Sequence, residues 1–244
     1  MGMTGIFKNI RFLCAASVAG PSHVKKGIVN QDSFLCVKKR KYILLVVSDG
    51  MGSKPFADLG SKKACEAVAA EIKSFVKNKK NPLSISELFS NIIARWKKLI
   101  LPHEAKECSA TCLFVFATKH KILAARLGDG MICLLGKDER KSLLLSDKKE
   151  GDFSNATQSL SDSAASTEFK YCFLDRREFK DLVLSTDGIS ADLENGNELP
   201  FAADIFSELR KMFFWKRCGF IKNMMENWSV PHHTDDKTLI VAGL

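Results

Sequence analysis

The chain has 244 residues, 45% of them hydrophobic and 27% charged, which is ordinary for a globular protein able to bury a core. No apolar run reaches the ~18 residues of a membrane-spanning helix, which argues against a membrane span. The formal net charge of +9 and pI of about 9.1 favour anionic partners, but the basic knots stand without aromatic interleaving or a nucleic-acid motif, so no specific nucleic acid is expected. Those knots are Lys38-Lys39-Arg40-Lys41, Lys77 with Lys79-Lys80, Lys97-Lys98 and Lys148-Lys149.

From the start of the chain, Lys8 and Arg11 precede Phe12-Leu-Cys-Ala-Ala-Ser-Val-Ala19, a stretch that reads either as a weak signal peptide or as a first strand. β-Branched and aromatic content predicts strands at Ser33–Lys38, Tyr42–Ser48, Thr111–Ala117, Ile122–Leu127, Met131–Leu135, Leu182–Ser185 and Thr238–Val241. Lys119-His120 reads as a hairpin turn between two of them. Helical spacing of Ala64, Val68, Ile72 and Phe75 predicts a helix over 57–78, and Leu88, Ile92, Trp96 and Leu99 predict one over 85–100. Further helices fall near 201–214 (Ile205, Leu209, Phe213) and 217–228 (Ile221, Met225). Strands, a helix pair, more strands, then helices and a final strand argue for an α+β fold with an antiparallel sheet. Ser146–Glu168 reads as the least ordered stretch and Asp192–Glu198 as a polar loop. The eight cysteines form no Cys-x-x-Cys pair; they read as buried free thiols of a reducing cytoplasm, without structural-zinc spacing.

The chemistry concentrates in four aspartates that follow or precede apolar, β-branched runs: Asp49, Asp129, Asp187 and Asp235. The first three are each followed by glycine (Gly50, Gly130, Gly188), which lets the backbone turn sharply and its carbonyl approach a ligand. Several hard oxygen ligands aimed at one point call for Mg²⁺ or Mn²⁺. Phosphate-loop, nucleophile-elbow and His-Glu-x-x-His templates are absent.

Read in order, the chain shows Asn30-Gln31-Asp32, Asp49-Gly50-Met51-Gly52, Ser109-Ala110-Thr111, Gly128-Asp129-Gly130, Asp187-Gly188 and Asp235-Asp236-Lys237-Thr238. This series resembles the protein phosphatase 2C (PPM) family of metal-dependent serine/threonine phosphatases. With Gly20-Pro-Ser-His23 it looks closest to the compact bacterial branch, and it spans about residues 20–242. The resemblance implies a single domain over residues 1–244, built as a four-layer α-β-β-α sandwich of two antiparallel sheets flanked by helix pairs. It implies a site for two Mg²⁺ or Mn²⁺ ions, with a third as an option. Direct attack by a hydroxide bridging two such ions, with no phosphoenzyme, is the reaction it implies.

Residue by residue, Asp49 matches the bridging carboxylate and Gly50 the carbonyl ligand. Asp187 and Asp235 match the remaining carboxylates of the first metal, Asp32 the holder of metal-bound water, and Asp129 the ligand of a third metal. The chain also departs from the pattern. Gln31 replaces a common glutamate, Met51 stands where many members have histidine, and Asp236 replaces an asparagine, adding charge beside the metals or pointing away. The usual phosphate-binding arginine falls on Gly27, leaving Lys25 or Lys26 as candidate phosphate ligands. His23 is a further candidate there, with a structural histidine as its alternative. His232-His233 is expected near the metals without binding them. The expected protein is a cytoplasmic, monomeric phosphatase acting on phosphorylated proteins, either substrates of a cognate serine/threonine kinase or the kinase itself. The alternative is a catalytically weak pseudophosphatase that binds a phosphoprotein or another partner.

Overall fold

The computed structural model describes residues 10–77, 84–146, 158–231 and 233–244. In chain order its elements are β1 (Phe12–Val18), α1 (Pro21–Lys26), β2 (Ser33–Lys38), β3 (Tyr42–Ser48), α2 (Ala57–Lys77) and α3 (Ile85–Leu99). Then come β4 (Cys112–Thr118), β5 (Lys121–Leu127), β6 (Met131–Gly136), β7 (Leu143–Ser146), β8 (Lys170–Asp175) and β9 (Phe179–Ser185). The chain closes with α4 (Asp187–Ser190), α5 (Glu198–Lys211), α6 (Phe214–Glu226) and β10 (Lys237–Gly243).

The strands form two five-stranded sheets, ordered β1-β10-β9-β6-β7 and β2-β3-β4-β5-β8, with every pairing antiparallel. Period-two alternation explains the layering. In β3, Ile43, Leu45 and Val47 face the other sheet, while Leu44 and Val46 face α2 and α3. Both faces are buried, which is why Tyr42–Ser48 reads as a continuous apolar run. On the second sheet Val183, Leu239 and Val241 pack under Ile205, Phe206, Leu209 and Ile221 of α5 and α6. Helix pair, sheet, sheet, helix pair is the α+β sandwich expected from the resemblance.

The sequence-derived strands and main helices are all present, with shifted ends. The 12–18 stretch is a strand paired along its length with β10. β9 begins at Phe179, not at Leu182, because the buried Asp181 interrupts the apolar pattern; it is held by Arg11 and Arg210. Edge strands β7 and β8 escape the pattern: β7 is short, and β8 pairs only with β5 and leaves Tyr171 and Phe173 exposed. Glu198, expected in a polar loop, is buried at the start of α5. Of the stretch 146–168, residues 147–157 lie outside the described residues, as do Lys79, Lys80, Lys148, Lys149 and His232. The remainder includes Leu160, bridged to Ala110. Five cysteines are buried, Cys36 and Cys172 half-buried and Cys218 exposed, so the expectation of burial fails at Cys218. Among the described residues no helix is long and apolar enough to cross a membrane.

The registers decide where the acidic residues go. Ser33 pairs with Ser48, Cys112 with Leu127, and Ser185 with both Met131 and Leu239. Antiparallel order therefore brings the entry to β2, the exit of β3, the β5–β6 turn, the exit of β9 and the entry to β10 to one end of both sheets. Those five connections carry Asp32, Asp49, Asp129, Asp187 and Asp235.

Candidate active site

At that end lies a pocket of about 240 Å³ lined by Gln31, Asp49, Gly50, Met51, Asp129, Asp187 and Asp235, with Gly52, Ser53 and Thr111. Each carboxylate is placed by backbone chemistry. Asp49 donates its amide to Thr111 Oγ1 (2.8 Å) and accepts the Thr111 amide on its carbonyl (2.8 Å), while Ser48 Oγ donates to the Thr111 carbonyl (2.6 Å). Gly50 is pressed so closely on the Ala57 and Gln31 carbonyls that a Cβ has no room; glycine is required by contact as well as by turning. Asp129 sits between Gly128 (φ 96°) and Gly130 (φ 105°). Its turn is held by buried Arg126, which donates to the Gly128 carbonyl (2.7 Å) and the Ser146 carbonyl (2.8 Å). Asp187 opens α4, where the helix N-terminus favours negative charge.

Asp32 is tied across the sheets: Thr186 Oγ1 donates to Asp32 Oδ2 (2.7 Å) and accepts from the Thr238 amide (3.1 Å). Asp236 points away from the pocket. Its two carboxylate oxygens take the amides of Gly20 (2.7 Å) and Gln31 (2.6 Å), and Oδ1 also meets His23 Nδ1 (2.9 Å). Asp236 thus clamps the segments that present Gln31 and Asp235. Beside it, buried Lys237 reaches the Asp235 carbonyl (3.4 Å), Asp192 Oδ2 (3.4 Å) and His233 Nδ1 (3.2 Å).

Crowding shows in the electrostatics. Burial, then the charges of Asp32, Asp187 and Asp235, drives the Asp49 carboxyl well above the usual carboxylate range. Burial likewise pushes Asp187 up to about 7, with repulsion from Asp129, Asp235 and Asp32 adding to it. Asp32 rises to about 6 through burial, opposed by hydrogen bonds from Thr186 and Thr238. Such a cluster ionises together only with a compensating cation.

Two observations test whether the pocket fits divalent metal. Gln31 Oε1 and Asp32 Oδ1 are buried acceptors with no hydrogen-bond partner among the described residues, and buried acceptors want a donor or a cation. The lining also offers carboxylate, amide, hydroxyl and carbonyl oxygen together with the Met51 thioether, and neither histidine nor cysteine, a set suited to Mg²⁺ or Mn²⁺. As the side chains stand, no three His, Cys, Asp or Glu groups among the described residues converge on one point; the carboxylates ring the pocket. The donor set fits the ions.

Of the sequence-derived candidates, Asp49, Gly50, Asp129, Asp187 and Asp235 line the pocket, and Asp32 couples to Asp49 and Asp187 behind it. His23, Lys25 and Lys26 are not in that lining. They lie on α1, where His23 is engaged with Asp236, and Lys25 borders a separate cavity of about 670 Å³ with Lys222 and His233. Arg126, Lys237 and the roles of Thr111 and Thr186 were missed. Threonine beside a strand end carries no signal of its own, and a buried cation inside an apolar run was visible only as a break in the pattern.

The sequence pattern described as protein phosphatase 2C matches residues 19–219. No curated protein matches by sequence. Among solved structures, the chain is similar to the serine/threonine phosphatase Stp1 from Staphylococcus aureus at 15% identity and TM-score 0.67, covering 100% of this chain and 98% of that one. It is also similar to the catalytic domain of the serine/threonine protein phosphatase PstP in complex with two manganese ions, at 17% identity and TM-score 0.61, covering 96% and 98%. A third likeness is RsbX in complex with magnesium, at 16% identity and TM-score 0.59, covering 97% and 96%. The match to residues 19–219 takes in every acidic position of the pocket except Asp235, and the shared sandwich supplies the end where they meet: the chain belongs to the protein phosphatase 2C family.

Proposed function

We propose that the chain is a Mg²⁺- or Mn²⁺-dependent phosphoprotein phosphatase that hydrolyses phosphoserine and phosphothreonine. The observation that carries this reading is the meeting of four aspartates from four separate connections at one pocket, with Asp32 behind them and two buried oxygens left without partners. Asp49, the Gly50 carbonyl, Asp187 and Asp235 would hold two ions, and Asp129 is the candidate for a third; PstP, with its two manganese ions, supports that count. The bound ions would supply Lewis-acid charge and make water nucleophilic near neutral pH.

The chain's own groups do the rest. Asp32, fixed by Thr186, holds a proton of the attacking water. Water adds to phosphorus as the seryl or threonyl oxygen departs, giving inorganic phosphate and the free hydroxyl. Met51 lines the pocket and has no proton to give, so solvent protonates the leaving oxygen. Lys25 and Lys26 stand outside the pocket lining, and His23 supports Asp236. A pseudophosphatase is not favoured, because Asp49, Asp187 and Asp235, the carboxylates matched to the first metal, are all retained. We place the enzyme in the cytoplasm as a monomer and single domain, acting on phosphoproteins made by, or including, a cognate serine/threonine kinase.

The test is hydrolysis of p-nitrophenyl phosphate and of a phosphothreonine peptide during Mn²⁺ and Mg²⁺ titration, with Asp187→Asn alongside. Metal-dependent turnover that falls at least ~10²-fold in the variant is expected. Equal turnover in both proteins, or none in either with metal bound, overturns the reading.

A further inference from the structure

The end of the sandwich opposite the carboxylates carries two features that phosphatase chemistry does not use. One is the corner between α5 and α6, where Phe213, Phe214 and Trp215 are 66%, 72% and 62% exposed. Scattered exposed apolar residues are normal, but three consecutive large aromatics at one helix–helix corner form a patch. The first turn of α6 buries nothing; Ile221 and Met225, farther along, dock the helix. Lys211, Lys216 and Arg217 flank the patch, and Arg217 lies over Phe12 at 4.5 Å.

The other feature is a cavity of about 650 Å³ lined by Arg11, Lys119, Lys137, Arg176, Arg177 and Lys180. Arg177 pairs with Asp175 and Arg11 with Asp181. Lys119, Lys137 and Lys180 enter no ion pair among the described residues. The exposed Lys38-Lys39-Arg40-Lys41 turn between β2 and β3 is at the same end. The two features adjoin. Asp181 is bonded by Arg11 from the cavity wall and by Arg210 from the last turn of α5, three residues before Phe213.

We propose that this end is a docking surface for an anionic lipid bilayer. Phe213, Phe214 and Trp215 enter the interfacial layer, and the basic cavity and turn sit on the headgroup phosphates. Aromatic rings beside lysine and arginine are the chemistry of interfacial anchoring, and each basic group near an anionic surface adds attraction. Charge complementarity to anionic headgroups and the packing of the rings decide for a membrane over single-stranded nucleic acid. The Phe213 and Trp215 rings stack on each other at 4.9 Å and 8°, so two of the faces that bases would need are taken. In the docked state the carboxylate pocket faces away from the lipid, one strand length off; seven-residue β4 alone spans about 23 Å.

The experiment is co-sedimentation of the full chain with phosphatidylcholine vesicles, with and without phosphatidylglycerol, together with Trp215 emission. Binding that needs phosphatidylglycerol and shifts the emission to the blue is expected, the shift vanishing in Trp215→Phe while binding persists. Phe214→Ser/Trp215→Ser and Lys119→Glu/Lys180→Glu should each lower partitioning about tenfold or more, with thermal unfolding confirming that both variants fold. No binding to anionic vesicles overturns the proposal, as does binding indifferent to the aromatic changes. Retention on RNA or an acidic protein that exceeds vesicle binding and survives the aromatic changes assigns the surface to those polyanions and overturns it too. None of these readouts depends on phosphatase turnover.

Discussion

Asp187 carries a proton at pH values where an ordinary carboxyl has lost it, because burial and three neighbouring carboxylates oppose its charge. Replacing it with asparagine removes that opposition. We expect Asp187→Asn to melt several degrees above the parent in chelator near pH 8, while turnover is lost; equal melting temperatures would refute the strain. Asp236 is the opposite case, a buried carboxylate fully engaged by two amides and His23. Its removal strands those donors, so Asp236→Ala should lose about 3 kcal/mol in urea unfolding. Both residues sit in motifs that stand out in the sequence, yet only one faces the pocket. The order of the Asp-Gly pairs carried the pocket positions because each turn must leave a strand. The direction of Asp236, and of His23 with it, depended on amides from Gly20 and Gln31, more than 200 residues away in the chain, and no local pattern encodes such a contact.

At the scale of elements, apolar period decided what was readable. β3 and β4 are buried on both faces and α2 and α3 present one apolar stripe, so their extents followed within a few residues. β8 alternates toward solvent at a sheet edge, α1 buries no residue, and α4 has four residues; none offers a period long enough to read. α3 shows how local chemistry fixes a boundary. Ser84 Oγ accepts from the Glu87 amide while the Glu87 carboxylate accepts from the Ser84 amide (2.6 Å), a reciprocal cap. The cap lies on the outer helix layer, away from the pocket. Ser84→Ala should therefore lower stability by about 1 kcal/mol in denaturant titration and leave turnover unchanged; a matching loss of activity would mean that α3 transmits strain to the site.

Over the whole molecule, antiparallel order gathers the site aspartates at one end of the strands and the basic cavity at the other, so a net charge of +9 coexists with an acidic pocket. That separation ties folding stability to metal and pH. Asp187 and Asp32 are held up to about 7 and about 6 in the folded chain, against an ordinary 3.8. Between about 4 and 7 the folded state holds more protons than the unfolded one, so stability without metal falls as pH rises through that window. Divalent ions bind the deprotonated carboxylates, so protons compete with them at the low end. The rise in melting temperature produced by saturating Mn²⁺ should therefore be small near pH 5, grow through pH 6 to 7, and level off near pH 8, where proton competition ends. Differential scanning fluorimetry in chelator and in Mn²⁺ across this range measures it directly. An increment independent of pH would mean that the ions bind away from Asp32 and Asp187. An increment that follows the predicted curve in the parent and loses most of its pH dependence in Asp187→Asn would locate proton and metal at the same carboxylates.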